Sequence, residues 1–403
     1  MTQEWQLALL DRMLAHHQAG NTTDMADDVY RNRVDKYVRA DRLDAEVDKL
    51  FSGLPVLACM TPDVPRPGDY MTLSIADVPV LVARGEDGVV RAFRNVCRHR
   101  GACVAEGRGH TDKTFMCPYH AWSYRLDGSL VAMTHRAGFA GVDKTEHGLT
   151  PVACGEAAGF VFVHLDGEPA TFDAAAWLGG AREELATFGF ENYFRTETRT
   201  TTREMNWKLM FDTFGEVYHV QHLHRNTIHP LIQSDNALYD AWETHGRMAV
   251  ARWPLDAYVD QPRDEWDLLP AATLVYHMVP NTVVIQQVDH LEVYQIFPDG
   301  PNRCTGVVSL YAPEEPTTDK ARDYWKKNFD LLMQVTETED FVMCEQMQRA
   351  FAAGAQEYIQ FGRNEPALTH YHRTLDRLLG LETPVGVPTR SAPAPADMVT
   401  ASA

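Results

Sequence analysis

Two short segments constrain this chain more than anything else in it: Cys97-Arg98-His99 and, seventeen residues further on, Cys117-Pro118-Tyr119-His120. Two thiolates and two imidazoles form a metal-ligand set, and a fold that uses all four must bring two loops to one place. The flanking sequence supplies strands for such loops. Short β-type runs occupy 70–75, 78–84 and 89–94, with Asp87-Gly88 as a hairpin turn between the last two. A second hairpin is predicted over 122–126 and 129–133 around Asp127-Gly128, and 160–165 reads as another strand. Residues 54–165 are therefore expected to form a small all-β domain with both Cys/His segments in its turns. The four ligands suit a tetrahedral zinc ion, or a 2Fe–2S centre in which the cysteines hold one iron and the histidines the other. Zinc sites usually use C-x2-C or H-x3-H halves, so the C-x-H half speaks against zinc. Cys103 lies close to His99, but the ligand set is complete without it, and Cys59, Cys154, Cys304 and Cys344 sit in apolar contexts that fit packing.

About a hundred residues later a second constellation appears between Asn206 and His224. Residues 207–222 read as a helix, which would place Asp212, Glu216 and His219 on one face at i, i+4 and i+7. His219 and His224 are five apart, about 140° around a straight helix. Holding one metal together requires that helix to distort or end between them. His222 competes with His224, because i, i+3 suits a straight helix better. Residues 318–351 read as a long helix carrying the adjacent acids Glu339 and Asp340, and periodicity does not choose between them. Two histidines and one carboxylate leave three positions open on a ferrous ion, which suits oxygen chemistry.

The segments 94–101 (Arg-Asn-Val-Cys-Arg-His-Arg-Gly) and 117–122 (Cys-Pro-Tyr-His-Ala-Trp), together with Glu216, His219 and His224, resemble the Rieske non-haem iron oxygenases, the family of aromatic ring-hydroxylating terminal oxygenase alpha subunits. The resemblance covers most of the chain up to about 380 and implies an α+β fold. In it, a small all-β Rieske domain is inserted in a catalytic helix-grip domain, an antiparallel sheet with helices. The corresponding division is 1–53 as a helical segment packing on the catalytic domain, 54–165 as the Rieske domain, 166–382 as the mononuclear iron domain and 383–403 as a disordered, Pro-containing tail. It implies a Rieske 2Fe–2S cluster on Cys97, His99, Cys117 and His120, and a mononuclear Fe(II) on His219, His224 and Asp340. Glu216 takes the place of an acid, often Asp in relatives, that bridges a cluster histidine and an iron-ligand histidine across a subunit boundary. Asp212 is either a partner of His219 or a solvated helix residue. Electrons would come ultimately from NAD(P)H through a separate reductase, with or without a ferredoxin. The expected assembly is a homotrimer, with a beta subunit left open. The expected substrate is small and hydrophobic, aromatic by preference, and is hydroxylated once or twice or oxidatively demethylated.

Two other readings compete: a Rieske electron-transfer protein with a non-catalytic ligand-binding domain, and a zinc-stabilised binding module. Phe211, Phe214, Val220, Tyr276, Ile285 and Tyr294 are candidates for pocket lining or plain core, and His245, Arg247 and Arg252 are candidates to hold a carboxylate. Composition narrows the partners. A net charge of −19 leaves no basic footprint for nucleic acid. Seven cysteines at irregular spacing do not form a disulfide framework and fit a reducing cytoplasm. No apolar run reaches the roughly 18 residues of a membrane span, and charges inside the N-terminal stretch exclude a secretory signal.

Overall fold

A computed structural model describes residues 3–381, so the expected tail at 383–403 lies outside the described residues. The hairpin signals of the first half become one seven-stranded antiparallel sheet, in the order Val56–Met60, Phe160–His164, Pro151–Ala157, Val90–Arg94, Val78–Arg84, Asp69–Ile75, Arg108–His110. A three-stranded sheet, Thr114–Met116, Ser123–Arg125 and Leu130–Ala132, projects from it and turns at Asp127-Gly128. Gly128 has φ +84°, the left-handed geometry that such a turn needs and glycine adopts without strain. The two Cys/His loops sit where these sheets meet, over a small core of Leu81, Phe115, Trp122 and Tyr124.

The second half builds a larger seven-stranded antiparallel sheet: Phe194–Arg203, Arg303–Ala312, Leu291–Gly300, Thr282–Gln286, Ala272–Met278, His245–Arg252, Ile232–Trp242. Side chains alternate between its faces. Val283, Ile285, Tyr294, Ile296, Val308 and Leu310 face one core, shared with the helices Trp207–Asp212 and Phe341–Ala352. Leu274, Tyr276, Val284, Leu291 and Val293 face the other, shared with Leu9, Leu10 and Met13 of the N-terminal helix Glu4–Gln18. The strand Ile232–Trp242 was not anticipated, because Gln233, Ser234, Asp235 and Asn236 interrupt its apolar alternation. One of these polar groups ties the strand to the N-terminal helix: the buried Asn236 Nδ2 donates to the Met13 carbonyl at 3.1 Å.

Two helical expectations need correction, and a third holds with one local change. The first 52 residues are not helical throughout. Tyr30–Arg33 is a strand paired antiparallel with Tyr358–Phe361, tying the start of the chain to its far end. The helix expected over 207–222 ends at Asp212, and only a short turn, Val220–Leu223, follows. Gly215 lies in the gap, so close to Leu368 that a β-carbon there would stand 2.3 Å from its Cδ2. The long helix at 318–351 is interrupted by a widened π-type turn, Thr336–Asp340, between Asp319–Val335 and Phe341–Ala352. Such turns recur at functional sites because they re-aim one side chain without ending the helix.

Beneath the break at Asp212 lies a buried charge network. Lys208 Nζ is 2.8 Å from Glu46 Oε2, and both side chains have zero exposure. Trp207 Nε1 donates to the same oxygen at 2.8 Å, and Arg42 Nε to Glu46 Oε1 at 2.7 Å. Arg42 and Lys36 both continue to Asp376, at 3.0 and 2.6 Å. Burial favours the neutral acid, but Lys208 and Arg42 outweigh it and hold the Glu46 carboxyl below the usual carboxylate range. No helix among the described residues is long and apolar enough to cross a membrane.

Candidate functional site

The two Cys/His loops have nearly the same backbone. Cys97 N donates to Ala102 O and Cys117 N to Trp122 O, both at 2.8 Å; Gly101 N and Ala121 N donate back to the respective cysteine carbonyls. Each loop places a left-handed residue four positions after its cysteine, Gly101 at φ +85° and Ala121 at φ +57°. This tight turn lifts the cysteine and the histidine behind it toward one point. The cysteines are buried at 3% and 2% exposure, and burial followed by the neighbouring Cys97 thiol raises the Cys117 thiol. The imidazoles of His99 and His120 meet with ring centroids 4.5 Å apart. Trp122 stacks on His99 at 4.9 Å, and Phe139 closes the edge at 5.4 Å. His99 Nδ1 is buried without a hydrogen-bond partner. Sulfur paired with sulfur and ring with ring, with a bare buried imidazole nitrogen, fits a two-iron cluster held two-and-two. Sequence reasoning missed Tyr124, whose hydroxyl lies 3.3 Å from Cys97 Sγ and accepts from Arg98 N at 2.9 Å. A phenol on a ligand sulfur is a means of tuning cluster potential.

The second site forms where the helix was expected to continue. His219 and His224 flank the short helix Val220–Leu223, joined by one hydrogen-bonded turn; the requirement is met because that helix ends at His224, whose backbone (φ −98°, ψ 27°) has left the helical range. Their Nε2 atoms converge on Asp340 Oδ1, at 3.5 Å for His219 and 2.9 Å for His224. One donor atom from each of the three residues lies within 4.8 Å of the others. Asp340 ends the π-type turn, and Thr213 Oγ1 donates to its Oδ1 at 3.3 Å. The far nitrogen of each imidazole is also held. Glu216 bonds His219 Nδ1 and also accepts from the His219 backbone N–H at 3.1 Å. Glu339 Oε2 lies 2.6 Å from His224 Nδ1 and accepts from Thr227 Oγ1 at 3.0 Å. Burial disfavours charge on both rings, but the hydrogen bonds to Glu216 and to Asp340 outweigh it and raise them above the usual histidine value. Carboxylates behind ligand imidazoles fix the ring tautomer and orientation. Both competitors thus find other places: Glu339 stands behind His224, and His222 is exposed, its ring 6.3 Å from that of Tyr218.

Asp212 is neither a partner of His219 nor solvated. Because the helix ends there, it turns away and accepts from Tyr37 Oη at 2.6 Å, with His372 Nε2 at 2.8 Å. It anchors a buried joint between the N-terminal segment and the helix Pro366–Leu378. Among the candidate carboxylate binders, Arg247 is taken by Glu184 and Asp240. His245, pushed down to about 4 by burial, lies 3.0 Å from the Trp177 carbonyl. Arg252 has no ion-pair partner among the described residues. Of the pocket candidates, Tyr276 faces away from the site, whereas Phe214, Val220, Ile285 and Tyr294 share the core beside it.

Residues 190–381 match the family model of the ring hydroxylating alpha subunit (catalytic domain), and residues 55–144 match that of the Rieske [2Fe-2S] domain. The chain belongs to the Rieske oxygenase alpha subunits. Family members of this kind carry a 2Fe–2S cluster and a mononuclear iron, and both donor sets described above fit those groups. The glycine betaine monooxygenase oxygenase subunit of Chromohalobacter salexigens is 35% identical over 198 residues, 47% of this chain and 42% of that relative. The chain therefore aligns with less than half the length of that relative. The chloroplastic choline monooxygenase of Spinacia oleracea is 28% identical over 342 residues, 83% of this chain and 75% of the relative. The quaternary ammonium Rieske monooxygenase CntA shares the fold at a TM-score of 0.75 and 22% identity, covering 87% of this chain and 96% of that one. Naphthalene 1,2-dioxygenase from Rhodococcus sp. shares it at 0.72 and 18% identity, covering 95% and 100%.

Proposed function

We propose that the chain is the terminal component of a monooxygenase that inserts one oxygen atom of O2 into a C–H bond of a quaternary ammonium compound. The second oxygen atom leaves as water, with two electrons supplied from NAD(P)H through a separate reductase or ferredoxin and two protons taken up from the NAD(P)H oxidation and from solvent. The observation that carries this reading is the convergence of His219, His224 and Asp340. A ferrous ion bound by these three supplies dioxygen activation at its open face. That convergence speaks against a purely electron-carrying protein, which needs the Rieske ligands alone. The two-and-two pairing of Cys97 with Cys117 and His99 with His120 speaks against zinc. The sequence-based expectation of an aromatic substrate gives way because the curated relatives above are named for choline and glycine betaine.

The residues divide the work. Cys97, His99, Cys117 and His120 hold the cluster that receives single electrons. Glu216 orients His219 and stands at the edge where Tyr218 is 60% exposed. In a homotrimer that edge meets the Rieske tip of a neighbouring subunit, where Tyr119 is 57% exposed beside His120. Phe214, Ile285 and Tyr294 exclude water from the substrate side. Seven unpaired cysteines suit the reducing cytoplasm.

Turnover of glycine betaine and of choline under 18O2 with a surrogate reductase tests the reading. One labelled oxygen atom in the product is expected for at least one of the two, and oxygen uptake with neither would overturn it. In the same assay Glu216→Gln is expected to keep both iron centres yet lower product formation by roughly 10- to 100-fold, the usual range for a residue behind a metal ligand. Full turnover by Glu216→Gln would contradict the bridging role.

A further inference from the structure

On the sheet face that carries Tyr294, the alternation of Leu291–Gly300 also places Glu292. The Tyr294 ring lies 4.5 Å from that of Phe214, in the segment leading to His219. Burial, then the carboxylates of Glu292 and Asp340, raise the Tyr294 phenol. Glu292 is 3% exposed. Its Oε1 lies 3.1 Å from His290 Nε2 and accepts from Gln287 Nε2 at 3.5 Å, but its Oε2 is buried with no partner. Although burial opposes it, His290 is pushed up to about 9 by its bonds to Asp289 and Glu292, so the group is an acid–histidinium–acid row with one negative charge in excess.

The row continues across the sheet. Gln287 Oε1 accepts from Thr273 Oγ1 at 3.2 Å and from Arg252 Nη1 at 3.5 Å. Arg252 Nη1 also donates to Thr273 Oγ1 at 3.2 Å. No carboxylate pairs with Arg252 among the described residues, and burial lowers its guanidinium, the more distant Asp289 opposing this only in part. Arg252 ends its strand in alternation with Met248 and Val250, which share a core with Val283 and Ile285, and Gln287 directly follows the strand Thr282–Gln286. A buried carboxylate oxygen without a donor and a half-buried guanidinium without an anion are each costly when left alone. They stand at opposite ends of one hydrogen-bonded row.

We infer that this row reads a zwitterion: Glu292, with the faces of Phe214 and Tyr294, takes the quaternary ammonium end of the substrate, and Arg252 takes a carboxylate at its other end. A quaternary nitrogen has no N–H to donate, so what it needs is a negative charge and ring faces, which is what this end offers. A carboxylate needs the forked donors of an arginine. The inference rests on the quaternary-ammonium reading above and sharpens it, favouring betaine-type substrates over amino alcohols such as choline.

Calorimetric titration of the iron-loaded protein with glycine betaine and with choline tests it, since the two share a trimethylammonium group and differ in the carboxylate. The wild type is expected to prefer glycine betaine. Arg252→Gln is expected to reduce the ratio of the two affinities by roughly 10- to 100-fold, the range of one charge-assisted hydrogen-bond pair, and Arg252→Lys to restore part of it. Glu292→Gln is expected to weaken both ligands together. The visible cluster spectrum and iron content report whether each variant is folded, and Arg252→Gln carries the test if Glu292→Gln fails to fold. Equal weakening of both ligands by Arg252→Gln, or a wild-type preference for choline, would overturn the zwitterion while leaving the quaternary-ammonium reading intact. Binding of neither compound by the wild type would overturn both.

Discussion

Asp340→Ala is expected to abolish substrate oxidation and to leave the absorption of the 2Fe–2S cluster unchanged. Asp340 is the point on which the two imidazoles converge, and it is the only anionic member of the triad. Without it two neutral imidazoles remain, and a ferrous ion loses its one charged ligand. The side chain is 6% exposed, and the π-type turn that presents it is formed by backbone, so removal of the carboxylate takes away a ligand rather than the turn. The cluster loops are built from another sheet and share no hydrogen bond with Asp340. Iron analysis should therefore fall by about one atom per chain, with cluster absorbance retained and product absent. Product at wild-type rates would remove Asp340 from the ligand set. Glu339→Ala is the informative control, because its carboxylate orients His224 and its loss weakens a ligand without deleting one.

Glu46→Ala is expected to cost about 3–5 kcal/mol of stability, the usual result of removing one partner of a buried ion pair. Its carboxylate serves Lys208, Arg42 and the Trp207 indole at once. Removal leaves a fully buried ammonium whose burial already pulls it below the usual lysine value, with Glu46 opposing that pull. The loss is a large share of the roughly 5–15 kcal/mol that holds a typical domain together. Chemical denaturation followed by far-ultraviolet circular dichroism should show a clear fall in midpoint. Glu46→Gln should fall between, because the amide keeps a hydrogen-bond acceptor but not the charge. An unchanged midpoint for Glu46→Ala would show that Lys208 finds another anion or sheds its proton.

The parts legible from sequence were those set by short-range chemistry. Asp87-Gly88 and Asp127-Gly128 marked their hairpins because each short loop closes through a left-handed glycine, whatever surrounds it. His219 and His224 carried their own requirement, a helix that distorts or ends, and the short helix between them does end at His224. The position of the break was not legible. It lies between Asp212 and His219, where Leu368, about 150 residues away in sequence, packs in the space a side chain at position 215 would fill. Asp212 was misplaced for the same reason, since a helix face was assumed where the chain turns toward Tyr37 and His372. Adjacent acids are another limit of periodicity. Glu339 and Asp340 look alike in sequence, and only the widened turn separates the one that meets both histidines from the one that stands behind His224. Glu292 and Arg252 gave no motif at all, because their relation depends on strand register across four strands. A strand carrying an acid between Leu291 and Val293 was the one available hint.

The account rests on two iron centres in one chain, and counting metal in the purified protein tests this most directly. Anaerobic reconstitution with iron and sulfide, followed by metal and acid-labile sulfide analysis, should give about three irons and about two sulfides per chain, with visible absorption of a Rieske cluster. Two irons with two sulfides would leave an electron carrier without a catalytic centre. A colourless protein holding zinc at Cys97, His99, Cys117 and His120 would contradict the account altogether.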